Sequence, residues 1–97
     1  MTAHHGQKRD ANEREIVVAL RAAGCSVTQM DAKAGFDLLV ISPLAGVLVM
    51  EIKDGAKPPS ARYLTPNEHA KRDEIEAAGG VYNVAETVEQ ALRIAGR

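Results

Sequence analysis

Apolar residues recur along this chain in two rhythms, and the changes of rhythm mark its elements. Ile16, Ala19, Leu20 and Ala23 repeat at helical spacing, which predicts a first helix with one apolar face. Asp10 or Asn12 is placed to cap it, Glu13 and Glu15 suit the positive end of its dipole, and Gly24 stops it. Residues 25–30 then read as a strand, with Cys25, Val27 and Gln29 on one face and Ser26, Thr28 and Met30 on the other. Two runs rich in aliphatic and β-branched residues follow, 35–41 and 47–53. Joined by Ser42-Pro43-Leu44-Ala45-Gly46, they predict a hairpin of two buried strands. Gly55, Pro58 and Pro59 break regular structure over residues 54–63. Thr65, Pro66 and Glu68 then spell a helix start: the cap, a proline in the first turn and the closing glutamate of a capping box. That helix carries Lys71, Arg72, Ile75 and Ala78 and ends at Gly79-Gly80. Residues 80–84 are a short fourth strand. Val88, Ala91, Leu92 and Ala95, with Ile94 at the margin, predict a last helix over residues 86–95.

The succession is helix, three strands, helix, strand, helix. It predicts an α/β domain with a small mixed sheet flanked by helices. At 97 residues the core is modest, so self-association into a homodimer is expected to add stabilisation. With 45% hydrophobic and 26% charged residues the composition is that of a globular chain, not a disordered one. A net charge of −1 gives no overall basic footprint, so any contact with nucleic acid must come from a local patch. Cys25 is the single cysteine, which excludes an intrachain disulfide and a cysteine zinc cluster; its apolar neighbours suit a small buried hydrophobe. Residues 1–9, with Thr2, His4, His5, Lys8 and Arg9, read as a flexible basic N-terminus ahead of a single domain over residues 10–97. No stretch has the length and apolarity of a membrane span or a signal peptide. The expectation is a soluble cytoplasmic protein with no membrane partner and no organic cofactor.

The charges on the hairpin carry the chemistry. Asp37 opens its first strand; Glu51 and Lys53 end its second. Side chains alternate along a strand, so Glu51 and Lys53 share a face and Ile52 points the other way. Folding the hairpin brings Asp37 beside them, and the three are expected to converge at one sheet edge. Two carboxylates next to an ammonium make a hard-oxygen site of the kind Mg²⁺ favours. Such a cation lowers the pKa of a bound water, and the lysine can position or activate that water, or neutralise a phosphate. The plain alternative is an ordinary hairpin ending in a solvated salt bridge, and the spacing by itself does not separate the two. Glu13 falls on the inward phase of the first helix and Glu15 at its margin; either can bring a third carboxylate, and Glu13 fits the phase better. Lys57 and Arg62 form, with Lys53, the densest basic cluster, suited to phosphate contacts, and Lys71 and Arg72 can flank a substrate from the next helix. Tyr63 is placed either to stack on a base or to pack on the domain. His69 has no sequence neighbour to orient it as a base, and Glu68 is accounted for by capping.

Several segments, taken together, resemble the PD-(D/E)xK nuclease superfamily, and within it the VRR-NUC-type endonucleases often found in phages and prophages. They are Asp10-Ala11-Asn12-Glu13 with Ile16, Gly35-Phe36-Asp37-Leu38-Leu39-Val40, Met50-Glu51-Ile52-Lys53-Asp54-Gly55, Lys57-Pro58-Pro59-Ser60, Leu64-Thr65-Pro66 and Ala78-Gly79-Gly80. The likeness spans residues 10–95. It implies a minimal restriction-endonuclease-like fold in the order αβββαβα. It also implies Mg²⁺- or Mn²⁺-dependent hydrolysis of DNA phosphodiesters by a structure-selective endonuclease, in a bacterial or phage-infected cell. By the same resemblance Asp37 and Glu51 match the metal-binding acidic pair, and Ile52 matches the position whose backbone carbonyl joins the metal shell. Lys53 matches the catalytic lysine, and Glu13 the helix-one acid, with Glu15 in reserve. Phe36 stands where such proteins usually carry Pro, and Glu68 where they usually carry Gln. A glutamate touching Lys53 or substrate there would add repulsion toward phosphate. The rival readings are a Holliday-junction resolvase-like enzyme and a non-catalytic nucleic-acid-binding module on a nuclease fold. The second has no need of three costly converging charges.

Overall fold

The first helix forms where the periodicity puts it: in the computed structural model, which describes residues 10–97, α1 spans Glu13–Ala22. Its buried stripe is Glu13, Ile16, Val17 and Leu20. Val17 joins the expected face because a core-facing helix buries a stripe wider than one line of residues. The expected basic segment of residues 1–9 lies outside the described residues. After α1 come β1 (Ser26–Gln29), β2 (Leu38–Ser42), β3 (Gly46–Ile52), α2 (Pro66–Ala77), β4 (Tyr82–Ala85) and α3 (Val88–Ile94). This is the predicted αβββαβα order.

The four strands make one sheet in the order β1-β2-β3-β4. β1 with β2 and β2 with β3 are antiparallel, and β3 with β4 is parallel, so the sheet is mixed. A parallel neighbour cannot be reached by a tight turn, and α2 supplies the crossover. The β2–β3 turn closes where Ser42 pairs with Gly46, whose φ of 83° is open to glycine at no steric cost. The buried Ser42 hydroxyl accepts from the N–H groups of Leu44 and Ala45, both at 3.1 Å, and donates to the Ala95 carbonyl at 2.7 Å. The hairpin tip is thereby fastened to the end of α3.

The core lies between one face of the sheet and the helices α1 and α3. Val27, Leu38, Val40, Met50, Ile52 and Ala85 from the strands meet Ile16, Val17 and Leu20 of α1 and Ala91 and Ala95 of the last helical turn. Each fully buried Leu or Ile contributes about 1.5–3 kcal/mol relative to exposure. Ile52 faces this core, so strand alternation turns Glu51 and Lys53 to the opposite face, on the side of α2. No residue of α2 is buried. The helix is instead fixed at its start by the predicted capping box between Thr65 and Glu68.

Some local expectations are corrected. Asn12 occupies the N-cap of α1 without a capping hydrogen bond, because its side chain is committed elsewhere. Its Nδ2 donates to the Lys53 carbonyl at 3.0 Å and to the Glu86 carbonyl at 2.9 Å. Residues 35–37 lie outside β2: a short 3₁₀ turn over Ala32–Ala34, capped by Asp31, delays the strand to Leu38. Lys53 likewise follows the last residue of β3. The loop after it contains a 3₁₀ turn, Pro59–Arg62, because a proline with fixed φ starts such a turn as readily as it breaks a strand. The last helix begins at Val88, where the Thr87 hydroxyl caps by accepting from the Gln90 N–H at 3.1 Å.

Candidate active site

Asp37 stands where the chain enters β2, stitched to both neighbouring strands. Its N–H donates to the Met50 carbonyl at 3.2 Å, and its carbonyl accepts from the Met30 N–H at 2.8 Å. Its Oδ2 accepts from the Ile52 N–H at 2.8 Å. The carboxylate is thus tied to the residue between Glu51 and Lys53, and the convergence predicted from the hairpin is present. The turn ahead of it is held from other directions. Gly35 has φ 80°, and a Cβ there would stand 2.6 Å from Cβ of Lys71 on α2. The Tyr82 hydroxyl of β4 donates to the Gly35 carbonyl at 2.6 Å, and the Asn67 amide of α2 donates to the Ala32 carbonyl at 2.9 Å. Sequence reasoning gave Tyr82 no role. The available signal was a phenol on a short buried strand, which requires a hydrogen-bond partner.

Glu51 is 2% exposed and Lys53 8%. The lysine Nζ lies 3.3 Å from Oε2 of Glu51 and 3.0 Å from Oε1 of Glu68. Burial pushes the Glu51 carboxyl up to about 9, helped by the hydrogen-bonded Glu68 carboxyl and the charge of Asp37. For Lys53, burial favours the neutral amine, but the hydrogen bond to Glu68 and the charges of Glu51 and Glu68 outweigh it and hold the ammonium above its ordinary range. Burial also opposes the charge on Glu68. Hydrogen bonds from Glu51, the Thr65 N–H and Lys53 overcome that and hold it below the usual carboxylate range. These shifts favour, at neutral pH, a protonated Glu51 and a charged Glu68 with the charged Lys53 in contact with both. Tyr82 is pushed upward by burial first and then by Glu51, Glu68 and Asp37, so it stays a neutral hydroxyl donor.

The donor set fits a divalent cation. Oε1 of Glu51 is buried with no hydrogen-bond partner, an acceptor that a cation would satisfy. Asp37, bonded to the Ile52 N–H, and Glu51, next to Ile52 in the chain, are the hard-oxygen donors here. Among the described residues no group of three or more His, Cys, Asp or Glu is gathered for a metal. Mg²⁺ commonly takes one or two carboxylates and completes its shell with water and phosphate oxygens. Glu13 is buried as its phase predicted, while Glu15 is exposed. Oε2 of Glu13 accepts from the Gln29 amide at 3.0 Å, a contact within the α1–β1 packing.

The four expected basic residues are each engaged with a carboxylate. Lys57 is 3.0 Å from Asp10, Arg62 3.1 Å from Glu86, Lys71 2.6 Å from Glu74 and Arg72 3.6 Å from Asp73. Ion pairs at or near the surface are weak and screened, so they hold these side chains only loosely. Tyr63 and His69 are exposed. Glu68 is the residue that sequence reasoning undervalued. It does close the capping box, and it also reaches Lys53.

No family model and no curated protein matches the chain. Solved structures do. One described as a VRR_NUC domain is 20% identical, with a TM-score of 0.63, over 88% of this chain and 90% of that one. Another, a VRR_NUC domain protein, is 19% identical, with a TM-score of 0.61, over 92% of this chain and 88% of that one. The superposition runs through nearly all of each chain, so the likeness is one of whole architecture: this α/β chain has the fold of VRR_NUC domains.

Proposed function

We propose that the chain is a divalent-metal-dependent phosphodiesterase that cuts DNA, in the manner of a structure-selective endonuclease. The observation that carries this reading is the joining of Asp37, Glu51 and Lys53 where β2 begins and β3 ends, in the middle of the sheet, through the Asp37–Ile52 and Lys53–Glu51 contacts. The fold shared with VRR_NUC domains supports it. Asp37 and Glu51, with the Ile52 main chain, would hold Mg²⁺ or Mn²⁺. Held there, the cation would supply Lewis acidity toward the phosphate and a water of lowered pKa. Lys53 orients or deprotonates the attacking water and offsets charge developing on the phosphate. Hydrolysis adds water across the phosphorus–oxygen bond, leaving one strand end with the phosphate and the other with a hydroxyl. Lys57, Arg62, Lys71 and Arg72 supply the local cations along which a backbone would run. The homodimer expected from the chain's size belongs to the same proposal.

The test is cleavage of labelled linear, nicked, flapped and four-way-junction DNA, run with Mn²⁺ titration calorimetry on wild type, Asp37→Ala and Lys53→Ala. Cation binding that needs Asp37, with cutting that needs both, supports the reading, and the substrate panel separates flap-type from junction-resolving action. Binding of DNA without cutting favours a binding module. Light scattering with and without DNA reads the dimer; a monomer under both conditions removes it.

A further inference from the structure

Glu68 uses a single oxygen for two contacts. Its Oε1 accepts from the Thr65 N–H at 2.9 Å and from Lys53 Nζ at 3.0 Å. The Thr65 N–H is fixed by the start of α2, so this oxygen is anchored and the lysine is drawn to it. The lysine is held on its other side by Oε2 of Glu51 at 3.3 Å. In the free protein the ammonium that the proposed reaction needs for phosphate is already engaged by Glu68 and Glu51.

The charges make the consequence definite. Asp37, Glu51 and Glu68 together oppose Lys53, and a divalent cation brings the ionised set to neutrality. An arriving phosphodiester then has no net positive charge to meet. A glutamine at position 68 would keep an oxygen for the Thr65 N–H and for Lys53, and would leave one positive charge in excess. We propose that Glu68 is a positioning residue that holds Lys53 and weakens the grip of the site on phosphate, because a DNA phosphate must take its place at Lys53. This inference rests on the nuclease reading of the same site.

The test compares wild type, Glu68→Gln and Thr65→Ala. The second variant loosens the same helix start by removing the hydroxyl that accepts from the Glu68 N–H at 3.3 Å, and it leaves the charges unchanged. Binding of labelled duplex and branched DNA is measured in Ca²⁺, and KM and kcat in Mg²⁺. Removing one unfavourable charge at this range should tighten DNA binding by roughly three- to tenfold at low salt. KM should fall by a similar factor, and the gain should shrink as salt rises. Thr65→Ala should give no tightening. A Glu68→Gln protein that binds DNA no better than wild type, or a Thr65→Ala protein that tightens equally, overturns the role of Glu68 while wild-type cutting stands. If neither wild type nor Glu68→Gln binds or cuts DNA, the nuclease reading falls together with this inference.

Discussion

Oδ2 of Asp37 accepts the Ile52 N–H at 2.8 Å, so one carboxylate both closes the end of the β2–β3 ladder and faces the proposed cation. The two duties can be separated. Asp37→Asn keeps an oxygen acceptor for Ile52 and removes the charge; Asp37→Ala removes both. Leaving a partly buried N–H without an acceptor costs about 1–3 kcal/mol. Urea unfolding should therefore show Asp37→Ala clearly destabilised and Asp37→Asn close to wild type. Calorimetry should show both with Mn²⁺ binding lost. An Asn variant that binds Mn²⁺ as tightly as wild type would remove Asp37 from the cation site.

The pH dependence follows from Glu51. Its carboxyl is raised from 4.5 to about 9 in the folded, metal-free protein. A raised carboxyl contributes stability that is complete below the unfolded value and is lost as pH rises through the folded one. Lys53 is also raised, and its contribution holds across this window, disappearing only above the ordinary lysine range. Glu68 is lowered, and its contribution fails only toward acid. The metal-free protein should thus lose several degrees of melting temperature between pH 5 and 9, about 4–8 °C for each kcal/mol in a domain of this size. Glu51→Gln should flatten that slope. Cation affinity should rise over the same interval, because binding must displace the Glu51 proton. Scanning calorimetry of wild type with a melting temperature that climbs from pH 5 to 9 would contradict the assignment.

Gly35 and Tyr82 test how the turn before Asp37 is held. Gly35→Ala forces a side chain into a left-handed backbone and against Cβ of Lys71 at 2.6 Å. Strain of this kind costs of order 1–3 kcal/mol. Tyr82→Phe deletes only the hydroxyl that donates to the Gly35 carbonyl and should cost about 1–2 kcal/mol. Both variants should weaken Mn²⁺ binding more than a control of equal stability loss in the α1–α3 core, such as Ile16→Val. Equal weakening in all three would mean that the turn transmits nothing particular to Asp37.

How far the sequence carried depends on the distance between partners. The period of two in β3 sets which way Glu51, Ile52 and Lys53 point, and a short turn returns Asp37 to them, so their convergence was legible. The helical phase likewise separated Glu13 from Glu15. The local pattern offers Asp10 or Asn12 as the cap of α1, because capping is the local option, and Asn12 takes the position without making the capping bond. Its actual partners, the Lys53 and Glu86 carbonyls, lie 41 and 74 positions away, and no local pattern encodes them. Glu68 was half legible for the same reason: its contact with Thr65 is written in the capping box, while its contact with Lys53 depends on how α2 crosses the sheet. Tyr82 needed the position of Gly35, which the 3₁₀ turn and its left-handed backbone set.

Asn12 gives the last prediction, because one amide joins the start of α1 to the backbone at both the lysine end of β3 and the end of β4. Its Nδ2 donates to the Lys53 and Glu86 carbonyls, and Glu86 in turn holds Arg62 at 3.1 Å. Asn12→Ala leaves those carbonyls without this donor and should cost about 1–3 kcal/mol in urea unfolding. Asn12→Asp is the sharper variant, since it has no donor for either carbonyl and adds a negative charge beside them, so it should be at least as damaging. If the amide also fixes the backbone from which Lys53 projects, the Asn12→Ala protein should lose kcat for DNA cleavage with little change in KM, measured at a temperature where it is fully folded. A destabilised protein with unaltered kcat would confine Asn12 to fold stability, and a protein of unaltered stability would deny it both roles.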